Sequence, residues 1–205
     1  MPRDDRILIG TNNEGKFIEI ADVLRPLSLT LLRPSDLGIS ADCAETGTTF
    51  AENALQKARR FRSLAGLPTI ADDSGIVVEA LEGELGIHTR RWGAGPNASD
   101  REWIDYFLQR MEEEENRKAR FVCNLAYIDP AGKEHLFEGS CEGIITPSLM
   151  ADYLPGLPIS ACFLPEGFES VYSAMTVDQK NAISHRGRAV HTFKRFLSDA
   201  LTQAA

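Results

Sequence analysis

A long hairpin pattern lies in the middle of the sequence, in RFVCNLAYIDPAGKEHLFEGSCEGII, residues 120–145. Two runs rich in apolar and aromatic residues, 120–128 and 134–145, lie on either side of the turn sequence DPAGK. Such runs, separated by a few residues that include Gly and Pro, are typical of a β-hairpin. We therefore expect a long antiparallel hairpin in the middle of the chain.

Strands and helices are predicted before this hairpin. RILIGT, residues 6–11, predicts a strand, and apolar residues at helical spacing predict a helix that follows it and ends at Pro26. A second helix is predicted over residues 48–66, where Thr49 and Glu52 have the spacing of a capping box.

The segment TIADDSGIVVEA, residues 69–80, follows the second helix. Its apolar ends predict two short strands, at 69–71 and 76–81, with Asp72 and Asp73 in a turn between them. Two adjacent carboxylates repel each other, and burial of either one is costly without a partner. The segment is therefore either a solvated acidic turn or the place where a positive group binds.

The remaining elements are helical. A third helix is predicted to begin at Ser99 with Glu102 as its capping-box partner, a short one over 176–183, and a final one over 186–201. Together with the hairpin, this order predicts an α/β protein with a mixed sheet flanked by helices, in a single domain over residues 1–205.

The composition limits the classes of function that are compatible with this chain. Among 205 residues, 43% are hydrophobic and the formal charge is −8, which suits a globular domain and disfavours electrostatic binding to nucleic acid. A small anionic ligand in a locally positive cleft remains compatible with this charge.

Localisation is expected to be cytoplasmic. No run of 18 apolar residues exists, so no membrane association is expected, and MPRDDRILIG at the start does not resemble a secretory signal. The four cysteines show no C-x-x-C spacing, which indicates reduced thiols.

The first candidate site is TNNEGK, residues 11–16, where the first strand leads into the first helix. Backbone N–H groups at a helix N-terminus favour an anion, and Lys16 adds a full positive charge. The segment lacks the glycines of a Walker A loop. It is either a phosphate-binding turn or an ordinary Asn cap beside a solvated lysine.

The second candidate site combines acids and cations. Asp72 and Asp73, with Glu45 from the preceding loop, offer the hard oxygen ligands that Mg²⁺ prefers, and one acid could activate water. Cationic groups that could bind a polyphosphate occur at Lys16, Lys57, Lys180 and Arg186. The combination predicts a nucleoside triphosphate as substrate, with Mg²⁺ as cofactor.

The motifs resemble those of the Ham1/inosine triphosphate pyrophosphatase family, whose members hydrolyse non-canonical purine nucleoside triphosphates. The matching segments, in family order, are TNNEGKFIEI, ETGTTFAENALQKAR, ADDSGIVVEALEGELGIHTRRWGAG, the hairpin quoted above and KNAISHRGRAV. They cover nearly the whole chain. The resemblance implies a two-lobed α/β fold with a nucleotide cleft, a homodimer, and Mg²⁺-dependent release of pyrophosphate.

The resemblance also implies roles for individual residues. Asp73 would be the base for the attacking water, supported by Asp72 and Lys16, while Glu45 and Asp73 would hold the metal. The residues implied to contact the nucleotide are Thr11, Asn12, Asn13, Glu14, Gly15, Lys16, Lys57, Ser74, Lys180, His185 and Arg186.

The chain departs from the family where the base should be recognised. In place of the family's GFGYDP segment it has GLPISA, so that Leu157, Pro158, Ile159 and Ser160 replace an aromatic residue and a carboxylate. A site built to hydrogen-bond a 6-keto purine depends on such polar groups. Ser160 can donate or accept, and Trp92 and Tyr153 are candidates for stacking on the base.

Overall fold

The computed structural model describes residues 5–41, 43–95 and 97–203. It contains a six-stranded sheet in the order β2-β1-β3-β4-β5-β6, in which β1 runs parallel to β2 and β3 and all other pairs are antiparallel. The strands are β1 (Arg6–Ile9), β2 (Thr30–Leu32), β3 (Thr69–Val78), β4 (Lys118–Ile128), β5 (Glu134–Ile145) and β6 (Phe163–Pro165). The expected mixed α/β architecture is confirmed.

The helices agree closely with the sequence pattern. They are α1 (Glu14–Leu24), α2 (Phe50–Ala65), α3 (Asp100–Arg110), α4 (Val177–Ile183) and α5 (His185–Gln203). Ser99 and Glu102 form the predicted capping box at the start of α3. At α2 the prediction is only half met, because the Glu52 carboxylate accepts a hydrogen bond from the backbone of Thr48 rather than that of Thr49.

The hairpin of β4 and β5 is confirmed, with Ile128 opposite Glu134 at its closed end and Lys118 opposite Ile144 at the other. The prediction of two strands around the acidic segment is wrong. Residues 69–78 form one continuous strand that pairs with β4 at every position. Pairing on that side satisfies the backbone through Asp72 and Asp73, so no turn is needed there.

The two faces of β3 are buried by different helices. Ile70 packs in a core with residues of α1 and α5, whereas Ala71 packs against Ala54 and Ala58 of α2. Small side chains at this second contact let α2 lie close to the sheet. A third cluster, around Phe107, Phe121 and Phe163, fills the space between α3, the far half of the hairpin and β6. Asp72 and Asp73, which follow Ile70 and Ala71 in β3, therefore project toward the two layers that bury Ile70 and Ala71.

No helix within the described ranges is long and apolar enough to cross a membrane. The four cysteines are free thiols, and Cys123, Cys141 and Cys162 are buried.

Candidate active site

A cavity of about 320 Å³ lies along the edge of β3 beyond Ile70, where β1 no longer pairs with it, and its volume is at the lower end of the range usual for small-molecule sites. It brings together segments that are far apart in sequence. The predicted site residues that line it are Thr11, Asn12, Asn13, Lys16, Glu45, Lys57, Asp72, Asp73, Ser74, Leu157, Pro158, Ile159, Ser160, Lys180, His185 and Arg186.

Strand alternation separates the two acids that are adjacent in sequence. Because successive side chains of a strand point to opposite faces, Asp72 shares its face with Ile70, and Asp73 shares its face with Ala71. Asp73 meets α2, and Asp72 meets the first turns of α1 and α5. The two carboxylates therefore have separate partners and do not act as a directly contacting pair.

Asp73 is held by two side chains of α2. Asn53 donates to Asp73 Oδ2 over 3.1 Å, and Lys57 Nζ lies 2.8 Å from Asp73 Oδ1. Burial raises the pKa of Asp73, although the ammonium of Lys57 partly opposes this effect. A carboxylate with a raised pKa is better suited to accept a proton near neutral pH than an ordinary surface aspartate.

Lys57 also contacts Glu45, whose Oε1 lies 2.7 Å from its Nζ. Burial alone would lower the pKa of Lys57, but Asp73 and the nearby acids Asp72 and Glu45 raise it. The lysine is therefore charged, and its ammonium is the cation on which the carboxylates of Glu45 and Asp73 converge.

This convergence provides a test of the predicted metal site. Mg²⁺ is usually held by one or two carboxylates together with water and substrate phosphates. Two carboxylate oxygens that share one cation at 2.7 and 2.8 Å fit such a site. No cluster of three or more His, Cys, Asp or Glu side chains able to hold a metal is found among the described residues, so the donors fit a site completed by substrate rather than a cage made by the protein alone.

Asp72 is buried among cations. Its Oδ2 lies 3.0 Å from Lys16 Nζ and 3.2 Å from Arg186 Nε, and it accepts a hydrogen bond from the Ser74 hydroxyl. Burial opposes ionisation, but Lys16 and Arg186 hold the pKa of Asp72 well below its usual range. Asp72 is thus a permanent anion that orients two cations of the cavity.

Glu19 of α1 completes this network, and it was not selected from the sequence. It is only 3% exposed, lies 2.5 Å from Lys180 Nζ, and forms an ion pair with Arg186. Burial would raise the pKa of Glu19, but Arg186 and Lys180 together lower it. A charged residue on the apolar face of a helix, one turn after a candidate phosphate-binding turn, was the available signal.

The first turn of α1 is both a cap and a cavity wall. Asn13 Oδ1 accepts from the backbone N–H of Lys16 over 3.1 Å, so that N–H is already paired. Glu14 and Gly15, which the resemblance placed at the phosphates, are not among the residues that line the cavity. Glu14 instead pairs with Arg33 on the surface. Gly15 packs against Leu157, whose Cδ1 would lie 2.6 Å from a Cβ at position 15.

The altered segment 157–160 reaches the same cavity. Asn13 donates to the Gly156 carbonyl, which joins this segment to the start of α1. Pro158, Ile159 and Ser160 lie in a short 3-10 turn over Pro158–Ala161 and are buried. The segment therefore forms an apolar wall with one hydroxyl, Ser160.

Aromatic residues of the cavity come from elsewhere in the chain. His185 stacks on Phe121 with ring centroids 4.5 Å apart and planes 12° from parallel, and Tyr172 lies beyond them. Burial and the charge of Arg186 lower the pKa of His185 well below its usual value, so its imidazole is neutral at pH 7. Trp92 packs on Tyr106 and Phe107, and neither Trp92 nor Tyr153 lines the cavity.

The chain is similar to known proteins over nearly its whole length. The sequence pattern of the Ham1 family matches residues 7–196. A dITP/XTP pyrophosphatase of Leptospira interrogans is 37% identical over 192 residues, which are 94% of this chain and 96% of that protein. A dITP/XTP pyrophosphatase of Geobacter sulfurreducens is 38% identical over 194 residues, with coverage of 94% and 96%. The solved structure of the Ham1 protein of Staphylococcus aureus has a TM-score of 0.80 and 31% identity, and the match covers 95% of this chain and 99% of that one.

Proposed function

The chain belongs to the Ham1 family, and from this premise we propose that it is a nucleoside triphosphate pyrophosphatase acting on non-canonical purine nucleotides. Its substrates would be ITP, dITP and XTP, and its products the monophosphate and pyrophosphate. The observation that carries the proposal is the cavity along β3, where four cationic side chains and a proton-accepting carboxylate, Asp73, face the same space. Relatives named as dITP/XTP pyrophosphatases support it.

In this mechanism the cations bind the triphosphate. Lys16, Lys57, Lys180 and Arg186 neutralise charge on the phosphates and on the pyrophosphate that leaves. All four are already paired with buried carboxylates, so they are positioned before substrate arrives. Asp73 takes a proton from the attacking water, helped by its raised pKa.

Glu45 and Asp73 are the residues that would hold Mg²⁺. The ion would supply charge neutralisation for the phosphate oxygens and would acidify a bound water. The Glu45 side chain is 25% exposed and that of Asp73 is 9% exposed, so the site is open enough for water and phosphate oxygens to complete it.

The proposal extends to the organisation of the protein. We propose one pyrophosphatase domain over residues 1–205, with two lobes on either side of a nucleotide cleft and the hairpin of β4 and β5 as its long element. The family resemblance also supports a homodimer in the cytoplasm.

A second candidate function keeps the chemistry and changes the base. It is favoured by the side chains of Leu157, Pro158, Ile159 and Ser160, which form a mostly apolar wall where the family has an aromatic residue and a carboxylate. Such a site could prefer another modified nucleotide or a canonical one. A non-catalytic nucleotide-binding protein is less well supported, because pure binding does not need Asp73 in a site that raises its pKa.

A nucleotide panel tests the function. We expect pyrophosphate release from ITP, dITP or XTP in the presence of Mg²⁺, with kcat/KM higher than for ATP or GTP. Release of orthophosphate alone, or no release from any triphosphate, would contradict the proposed reaction. Ratios of kcat/KM across the panel decide between the first and second candidates.

Lys57→Met is expected to strengthen binding of a divalent cation to the nucleotide-free protein by at least about tenfold. The substitution removes the ammonium that lies between Glu45 and Asp73 and leaves two carboxylates whose repulsion a cation would relieve. Calorimetric titration with Mn²⁺ measures the effect. Lys133→Met, at an exposed hairpin lysine, is the matched control. Equal Mn²⁺ affinity in Lys57→Met and wild type would argue against a metal site at these carboxylates.

A further inference from the structure

The cavity has two chemically different parts. Lys16, Lys57 and their acidic partners supply the charge at one part, along β3. The other part is walled by apolar and aromatic side chains, of which the main ones are Phe121, Leu157, Pro158, Ile159 and Tyr172. Because phosphates are attracted to the charged part, an uncharged planar ring is left to the apolar part, where few polar atoms can recognise it.

One of those polar groups is the Ser160 hydroxyl, and its proton points toward the carbonyl oxygen of Leu157. Ser160 Oγ lies 2.5 Å from the Leu157 carbonyl oxygen. Two oxygens at this distance require a hydrogen between them, and a carbonyl has none to give. Ser160 therefore donates its only proton to Leu157.

Ser173 then determines what Ser160 can offer. The two hydroxyl oxygens are 2.7 Å apart, which again requires a hydrogen between them. Since the proton of Ser160 is already used, Ser173 must donate to Ser160. A hydroxyl oxygen has two lone pairs, so one lone pair of Ser160 is left, and Ser160 can act toward a ligand only as an acceptor.

The neighbouring polar groups leave the proton of Ser160 where it is. The Lys180 ammonium lies 5.5 Å from the centre of the Tyr172 ring, and the Tyr172 hydroxyl is buried without a partner among the described residues, whereas the Ser160 hydroxyl is bonded to Leu157 and Ser173.

The Thr89 hydroxyl donates to the Gly86 carbonyl over 2.6 Å and accepts from the backbone of Ile76 over 3.1 Å, so its proton is also committed. His185 is neutral, and its buried Nδ1 makes no hydrogen bond within the described part of the chain. Ser160 thus lines the cavity as a neutral acceptor whose own proton is committed to Leu157.

We infer that Ser160, oriented by Ser173, selects bases that carry a hydrogen on the ring nitrogen facing it, and disfavours bases whose ring nitrogen is bare. This inference rests on the proposed function, because it assumes that the apolar part holds a nucleobase. Ser173 is then a positioning residue for specificity. A bare ring nitrogen opposite Ser160 would place two acceptors together and leave both without a hydrogen bond.

Equilibrium binding separates this inference from the reaction. The probes are inosine 5′-monophosphate, whose ring N1 carries a hydrogen, and purine riboside 5′-monophosphate, whose N1 does not. We expect wild type to bind the first about tenfold more tightly, the size of effect expected for one net hydrogen bond. The inosine nucleotide also carries a 6-oxo group that the purine nucleotide lacks, so the readout is the part of the ratio that Ser160→Ala removes, which is expected to be most of it and to come from weaker binding of the inosine nucleotide.

Two further variants keep the test decisive. Ser160→Cys retains size with a weak acceptor if Ser160→Ala does not fold, and is expected to lose most of the preference. Ser173→Ala leaves the bond from Ser160 to Leu157 in place and is expected to lower the preference by about twofold to threefold, because the donor that polarises Ser160 is lost. Ser63→Ala, at an exposed hydroxyl of α2, is the control.

The affinities of the variants decide the roles of Ser160 and Ser173 separately. Equal affinities of wild type for the two monophosphates, or a preference that survives in both Ser160 variants, would overturn the inference. A preference unchanged in Ser173→Ala would remove the orienting role of Ser173. Because binding of monophosphates needs no turnover, these results stand even if the nucleotide panel shows no pyrophosphate release.

Discussion

Asp73→Asn is expected to lower kcat for pyrophosphate release by about three orders of magnitude while the fold is retained, the range typical for loss of a general base. An amide cannot take the proton of the attacking water, yet it is close in size to the carboxylate it replaces. Its oxygen can still accept from Lys57, as Asp73 Oδ1 does over 2.8 Å. Its amide nitrogen would then face the Asn53 amide that donates to Asp73 Oδ2, so we expect a small fall in unfolding temperature and retained binding of nucleotide.

The measurement is steady-state pyrophosphate release with ITP, accompanied by thermal unfolding. Asp105→Asn, at an exposed aspartate of α3 that pairs with Arg101, is the matched control and should leave kcat within about twofold. Because burial raises the pKa of Asp73, wild-type activity should fall on the acidic side at a pH above that of an ordinary aspartate. A near-normal kcat in Asp73→Asn would remove Asp73 from the role of base.

Arg186→Met is expected to lower the free energy of unfolding by about 3–5 kcal/mol, the cost of breaking a buried ion pair by removal of one partner. The guanidinium is only 2% exposed and contacts the carboxylates of both Glu19 and Asp72. After its loss each carboxylate keeps one lysine, Lys180 or Lys16, but both remain buried with less charge compensation. Urea denaturation measures the difference.

The pH dependence of the free energy of unfolding tests the same ion-pair network in a second way. Lys16 and Arg186 lower the pKa of Asp72, and Arg186 and Lys180 lower that of Glu19, despite burial. Both groups take up protons at a higher pH in the unfolded chain, at about pH 4. Their contribution to stability is therefore complete above that pH and decreases as the pH falls toward the folded-state values. The loss of stability below about pH 5 should be smaller in Arg186→Met than in wild type.

Arg188→Met is the matched control, since Arg188 lies two residues further along α5, is exposed, and its side chain donates only to the Ser140 carbonyl among the hydrogen bonds described. We expect it to change stability by less than about 1 kcal/mol. If Arg186→Met cost no more than Arg188→Met, the buried network would not be a source of stability.

The helices and the hairpin could be predicted because their signals are local. Ser99 and Glu102, or Thr176 and Gln179, lie three residues apart and cap their own helices. The strands β2 and β6 were not predicted, because three residues are too few to show a pattern and only pairing with β1 and β5 defines them. Most of the candidate site residues were also selected from sequence, through residue type and resemblance, and they line one cavity.

Local sequence patterns were sufficient for the order of the five helices, for the capping boxes of α3 and α4 and for the hairpin, because each depends on neighbours along the chain. The pairing of the charged side chains depends on contacts between segments that are distant in sequence. Asp72 and Asp73 are one residue apart, yet pairing of β3 with β4 turns them to opposite faces and gives them different cations. Glu19 reaches Arg186 across 167 positions, and the proton of Ser160 is directed by Leu157 and Ser173. Burial and hydrogen-bond distance fix such partners, and both arise only when distant segments pack together.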